Sequence, residues 1–151
     1  MTQPLAPAAQ VPQPDAPLPA NELAARPEDV VAFPDGLPGF ETCRRFVVMS
    51  LEDVPPFQRL QGLDGARPTF LTIDPTQVLR RYRLLLSPAD RARLDARDDD
   101  TLLWLAIVTF DADDTATVNL RAPLVINPRV MVGFQVMPHE TLYPLRHPLS
   151  L

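Results

Sequence analysis

The sequence predicts an all-β fold, a small antiparallel β-barrel-like domain with one short helix at about residues 87–97, and three observations carry that expectation. Residues 102–110, Leu-Leu-Trp-Leu-Ala-Ile-Val-Thr-Phe, are the most continuously apolar run in the chain. They are rich in the aromatic and β-branched types that suit a pleated surface. Short segments of the same kind recur along residues 30–137, divided by Pro, Gly and Asp at the spacing of a β-meander. A single stretch, Ser87-Pro-Ala-Asp90, carries the opening signals of a helix.

Ahead of these segments, residues 1–27 hold seven of the 19 prolines, together with Ala and Gln, and show no apolar period. Proline removes backbone donors, and so few large apolar side chains cannot offset the entropy of ordering the segment. The expectation is a disordered Pro/Ala-rich tail over residues 1–27 and a β domain over residues 28–151. Within the domain, Val30-Val-Ala-Phe33 is the first strand candidate. Pro34-Asp-Gly-Leu-Pro-Gly39 then places two Pro and two Gly in six residues, a fixed double turn. Residues 46–51, 57–61 and 69–73 read as strands, with Pro55-Pro56 breaking the chain between the first two. Residues 82–86, Tyr-Arg-Leu-Leu-Leu, read as another.

The helix follows. Ser87 supplies a capping hydroxyl, Pro88 sits where its missing N–H costs nothing, and Asp90 faces the positive end of the dipole. The triplet Asp98, Asp99 and Asp100 stops the helix, because carboxylates oppose the negative end of the macrodipole. Leu94 is its only large anchor, so the helix is expected to lie exposed. The run 102–110 is apolar on both faces and needs cover on both sides, with Trp104 expected in the core. Asp111-Ala-Asp-Asp114 makes a turn, since short carboxylates bond their own backbone, and residues 115–120 alternate as the second arm of a hairpin. Residues 124–126 and 130–137 flank Asn127-Pro128 as a second hairpin. Residues 143–149 hold too much proline for a central strand and belong at an edge or on the surface.

Composition narrows function. A chain of 151 residues, 46% hydrophobic, suits one domain with a core. Its formal charge of −5 argues against nucleic-acid binding, which draws on clustered Lys and Arg, and favours a basic partner or simple solubility. All 14 basic residues are Arg, a compositional habit. Cys43 stands alone, so no internal disulfide can form, and the N-terminus lacks a basic start and an apolar signal core. The longest apolar run is far short of the roughly 20 residues of a membrane-spanning helix. The expectation is a cytoplasmic protein with no membrane contact.

Catalytic and metal motifs fail one by one. His139-Glu140 opens like H-E-x-x-H, but Tyr143 stands in place of the second histidine. Asp111, Asp113 and Asp114 resemble a calcium loop, yet Ala116 stands where that loop needs Gly and Ala122 where it needs a bidentate Glu. No motif joins Cys43, His139 and His147 into a nucleophile–base pair. The reading is a non-enzymatic protein without metal or cofactor.

Five separated segments carry a more specific signal. The order Gly36-Leu-Pro-Gly-Phe-Glu41, Phe70-Leu-Thr-Ile-Asp-Pro75, Thr117-Val-Asn-Leu-Arg-Ala-Pro-Leu-Val-Ile-Asn127, Gln135-Val136 and Tyr143-Pro-Leu-Arg-His-Pro148 resembles the bacterial flagellar assembly factor FliW family. The match spans about residues 29–149. It implies a small barrel-like β fold, no catalysis, and two cytoplasmic protein partners, flagellin and the RNA-binding translational regulator CsrA. In that family the factor relieves CsrA repression of flagellin translation without occupying the RNA site, and flagellin competes for the factor. The chain itself is expected to be monomeric when free. The alternative is a small β-barrel binding module for another protein or ligand. The Pro/Ala tail and the Arg-only basic set depart from the family's usual form.

Candidate contact residues follow from charge and motif. Asp98, Asp99 and Asp100, and Asp111, Asp113 and Asp114, are candidates for the CsrA face, because opposite charge speeds encounter with a basic RNA-binding protein. The plainer reading of both runs is solvated turns. Asn119, Asn127 and Arg146 lie in the matching segments and are candidates too. They are equally explained by bonds within their own chain. Flagellin's terminal segments, amphipathic helices in that family, would want an apolar groove.

Overall fold

The computed structural model describes residues 26–138 and 141–150, so residues 1–25 of the expected tail lie outside the described residues. The last residue of that tail, Pro27, opens a single 3-10 turn, Pro27–Asp29. Among the described residues nine strands follow: β1 (Val31–Ala32), β2 (Arg45–Ser50), β3 (Gln58–Gly62), β4 (Thr69–Ile73), β5 (Leu103–Phe110), β6 (Ala116–Val118), β7 (Leu124–Asn127), β8 (Val132–Gln135) and β9 (His147–Pro148). One helix, α1, covers Pro88–Arg93. The strand order is β4-β3-β2-β1-β8-β7-β5-β6-β9, and a further β4–β5 pairing closes the first seven into a barrel. The fold is therefore the all-β barrel with one short helix that the sequence predicts. Every pairing is antiparallel except β1–β8, which is parallel and consists of the single register pair Ala32↔Val132.

The central strand is β5, and its two-sided apolar character has a direct cause. Side chains alternate across a strand, so Leu105 and Ile107 point into the barrel beside Phe33, Phe46, Leu60, Phe70, Leu124 and Ile126. Phe33 and Phe46 meet edge-on with centroids 5.1 Å apart. The alternate residues Ala106 and Val108 face outward against Leu71, Ile73, Val118 and Leu120. Residues 74–101 wrap the outside of the barrel and cover both outer patches. Tyr82 lies on the first, donating its hydroxyl to Leu120 O at 2.8 Å and stacking on Tyr143. Leu94 is fully buried on the second with Val125, Phe134 and Val136, as the anchor of the short helix. Each such burial contributes about 1.5–3 kcal/mol.

Three expectations change. Residues 82–86 form no strand: Tyr82 and Leu84 pack on one outer patch and Leu86 on the other, and none of the five pairs with a strand among the described residues. The helix is shorter than 87–97. Ser87 caps it as expected, accepting from Asp90 N at 3.0 Å, but it ends at Arg93, two residues before Asp95 turns left-handed with φ +49°. Trp104 shares the outward face of Ala106 and is only half-buried, at the junction of the two outer clusters. In a run apolar on both faces, alternation fixes which residues share a face and leaves open which face is inside.

Candidate functional site

The two acidic runs lie at the two ends of β5, about 30 Å apart at ~3.3 Å per residue. At the start of the strand, Asp100 is a latch. Its side chain is only 8% exposed; Oδ1 accepts from Arg129 Nε at 2.9 Å, and Oδ2 accepts from Arg97 N at 2.8 Å and Asn127 Nδ2 at 3.1 Å. The Arg129 hydrogen bond above all, with the Arg97 N–H, holds its carboxyl down to about 2. Asn127 is fully buried, donates also to Leu94 O at 2.9 Å, and accepts from Arg129 N at 3.1 Å. Asp100 and Asn127 thus tie the 74–101 wrap to the β7–β8 hairpin. Asp98 and Asp99 are exposed beside them, Asp98 paired with Arg91 at 3.1 Å.

The far end of β5 is built differently. Asp111 Oδ1 accepts from Asp113 N at 2.9 Å and Thr115 N at 3.0 Å, which forms the turn; Asp114 adopts φ +60°. Asp113 and Asp114 project into solvent. Asn119 Oδ1 accepts from Arg121 N and Ala122 N at 3.1 and 3.0 Å, capping the bend after β6.

Beside this turn a cleft of about 490 Å³ opens into the end of the barrel. Phe70 and Ile107 lie deep in it, Leu37 and Phe110 line it, and Met137 and Leu145 stand exposed at its rim. Its polar groups are Thr109, Asp111, Asn119, Gln135 and Arg146, so three of the residues singled out in the sequence meet here. Leu37 is held in place by the double turn, in which Gly36 and Gly39 take φ +62° and +85°. At Gly36 any Cβ would also strike Glu41 Cα at 2.7 Å.

Gln135 lies in the matching segment Gln135-Val136 but is not among the candidate contact residues, and it is the unusual residue of the cleft. Its Nε2 donates to Ala122 O at 3.0 Å, while its Oε1 is sealed from solvent without a donor among the described residues. Besides that match, its position between the apolar Phe134 and Val136, in a strand packed on both faces, is the signal the sequence offers. Cys43 sits in the barrel interior, far from nucleophilic use, and His139 lies outside the described residues. A mostly apolar cleft with a few convergent polar groups is suited to holding a segment of polypeptide or a ligand of similar character.

Comparison with known proteins agrees with this architecture. The sequence model described as "FliW protein" matches residues 19–149. The flagellar assembly factor FliW of Natranaerobius thermophilus is 34% identical over 131 residues, covering 85% of this chain and 87% of that one. The FliW of Syntrophotalea carbinolica is 35% identical, covering 85% and 92%. A crystal structure of the flagellar assembly factor FliW superposes with a TM-score of 0.77 at 32% identity, covering 84% of this chain and 89% of that chain. With its motifs, its closed barrel and these matches along nearly the whole described length, the chain belongs to the FliW family of flagellar assembly factors.

Proposed function

We propose that this protein serves flagellar assembly by binding two proteins, flagellin and CsrA, and that its binding to CsrA relieves repression of flagellin translation without occupying the RNA site. The family is one of assembly factors and not of enzymes, which supports a role exerted through protein contacts. Among the described residues no helix is long and apolar enough to cross a membrane, and the cytoplasm, where flagellin is made, is the proposed place of action.

The observation that carries the reading is the cleft. An apolar hollow whose rim presents Met137 at 59% and Leu145 at 51% exposure is a poor surface to leave to water and a good one for the apolar side of a polypeptide. We assign flagellin to it. The exposed carboxylates Asp99, Asp113 and Asp114 suit attraction of a basic partner, and we assign CsrA to an acidic face. Calorimetry with purified flagellin and purified CsrA tests both assignments. Replacing Met137 and Leu145 by Asp should weaken flagellin binding by at least about tenfold and leave CsrA binding in place. Absence of binding to either protein would remove the reading.

A further inference from the structure

We propose that the cleft receives its partner as an extended segment that adds to the open edge of β8, pairing with the backbone of Gln135, rather than as an amphipathic helix. This inference rests on the assignment of flagellin to the cleft and states how the segment is held. It begins at the parallel seam between β1 and β8. There Ala32 N donates to Met131 O at 2.9 Å, and the register is Ala32↔Val132. In a parallel ladder the next rung would run from the N–H of residue 34 to the carbonyl of Gly133, and then from the N–H of Gln135 to the carbonyl of residue 34. Residue 34 is proline, which has no N–H, and the chain leaves the sheet at once in a turn closed by Gly36 N on Phe33 O at 2.8 Å. The seam stops after one pair.

The other side of β8 shows which groups are left open. Val136 N donates to Pro123 O at 3.0 Å, and Leu124 is the register partner of Gln135. Leu124↔Gln135 is therefore a non-hydrogen-bonded pair, in which the N–H and C=O of Gln135 point away from β7 and toward the abandoned seam. Neither group has a hydrogen-bond partner among the described residues. Backbone donors and acceptors left this way make a sheet edge, a template on which another strand can pair. The side chain of the same residue carries the orphaned Oε1.

The surroundings supply side-chain pockets for such a strand. A second hollow of about 180 Å³ lies between β8 and the double turn, and it shares Pro38, Gln135 and Met137 with the cleft. The two hollows adjoin along the β8 edge, with Gln135 between them. Successive side chains of an added strand point to opposite faces, so alternate ones would enter the cleft. Arg146 lies in the cleft, and Asp35 and Glu41 lie in the second hollow. Glu41 accepts from Gly39 N at 3.1 Å, a bond that holds its carboxyl below the usual range. The arrangement fits an extended segment with an apolar residue over Ile107 and Phe110 and an acidic one toward Arg146.

Amide hydrogen exchange on the full chain, alone and saturated with purified flagellin, tests the proposal. The Gln135 amide should exchange rapidly in the free protein and slow by at least about tenfold in the complex, while Val136, already bonded to Pro123, changes little. Gln135→Pro removes the edge N–H without touching the β7 rung, and should weaken flagellin binding by about tenfold or more. If that variant fails to fold, exchange in the wild type decides alone. A complex in which Gln135 stays unprotected overturns the strand proposal while leaving the flagellin assignment standing. Absence of any complex overturns both. Protection of Gln135 in the free protein that disappears on dilution would assign the edge to a second copy of this chain and overturn the proposal likewise.

Discussion

At one end of β5 the acidic run is drawn into the fold: Asp100 and Asn127 share a network with Arg129 that fastens the wrapping segment to the β7–β8 hairpin. At the other end Asp111 serves its own turn, and the neighbouring barrel mouth holds an unlaced seam, a buried oxygen without a donor among the described residues, and exposed methionine and leucine. Two clusters of similar composition thus divide the work. The difference lies in what stands across from them. Arg129, the Arg97 N–H and the Asn127 amide meet the first cluster, whereas solvent meets Asp113 and Asp114. Saturated polar groups stabilise, and unsaturated ones remain available to a partner.

Substitution at the two asparagines should separate the ends most clearly. Asn127→Ala leaves the Leu94 carbonyl and Arg129 N without their partner in a buried place, and should cost about 1–3 kcal/mol in chemical denaturation. Asn119→Ala removes a cap on a half-buried bend and should cost about 0.5–1.5 kcal/mol. Equal losses would erase the distinction between a latched end and an open one.

Strong acid should loosen the latched end. The Asp100 carboxyl is held down to about 2, below its value in the unfolded chain, so its contribution is fully present above about pH 4 and is lost as pH falls toward 2. Stability measured across that window should decline less steeply in Asp100→Asn than in the wild type. Parallel curves for the two proteins would show that the network does not depend on the charge.

The open end should answer in kinetics instead. Asp113→Asn with Asp114→Asn should change stability by less than about 0.5 kcal/mol, since both are exposed and Asn tolerates the left-handed backbone of residue 114. If this end faces CsrA, the association rate should fall at low salt, and the difference should shrink near 0.15 M, where the Debye length is roughly 8 Å. Unchanged rates at low salt would leave these residues as solvated turn positions. Deletion of residues 1–26 should also leave the domain standing, with a melting shift below about 5 °C. A larger fall would mean that the tail contributes to the domain.

Much of the barrel was legible because hydrophobic period and turn chemistry act locally. Residues 69–73 form β4 as read, and Asp111 makes the turn its carboxylate suggests. The failures share one cause, which is that pairing is decided by distant chain. Tyr82, Leu84 and Leu86 alternate like a strand but lie over the barrel's outer face and pair with no strand among the described residues. Trp104 obeys the alternation of β5, yet only the closed ring determines that its side faces out. Of the site, the sequence held Asp111, Asn119 and Arg146 without showing that one cleft unites them. Gln135 carries no charge and stands in a matching segment that suggests no role for it, and its interest arises only when the seam that Pro34 cuts short is traced to it.

Pro34 also bears on solubility. An uncovered strand edge is a template on which partly unfolded chains can stack, and proteins commonly blunt such edges with charge, brevity or a covering loop. Here the exposed ladder is shorter than the roughly six or seven residues from which cross-β assembly grows, and it is sunk beside a proline-pinned loop with Asp35, Glu41 and Arg146 around it. A single missing N–H opens the edge, and its short reach keeps the opening from becoming a seed for aggregation.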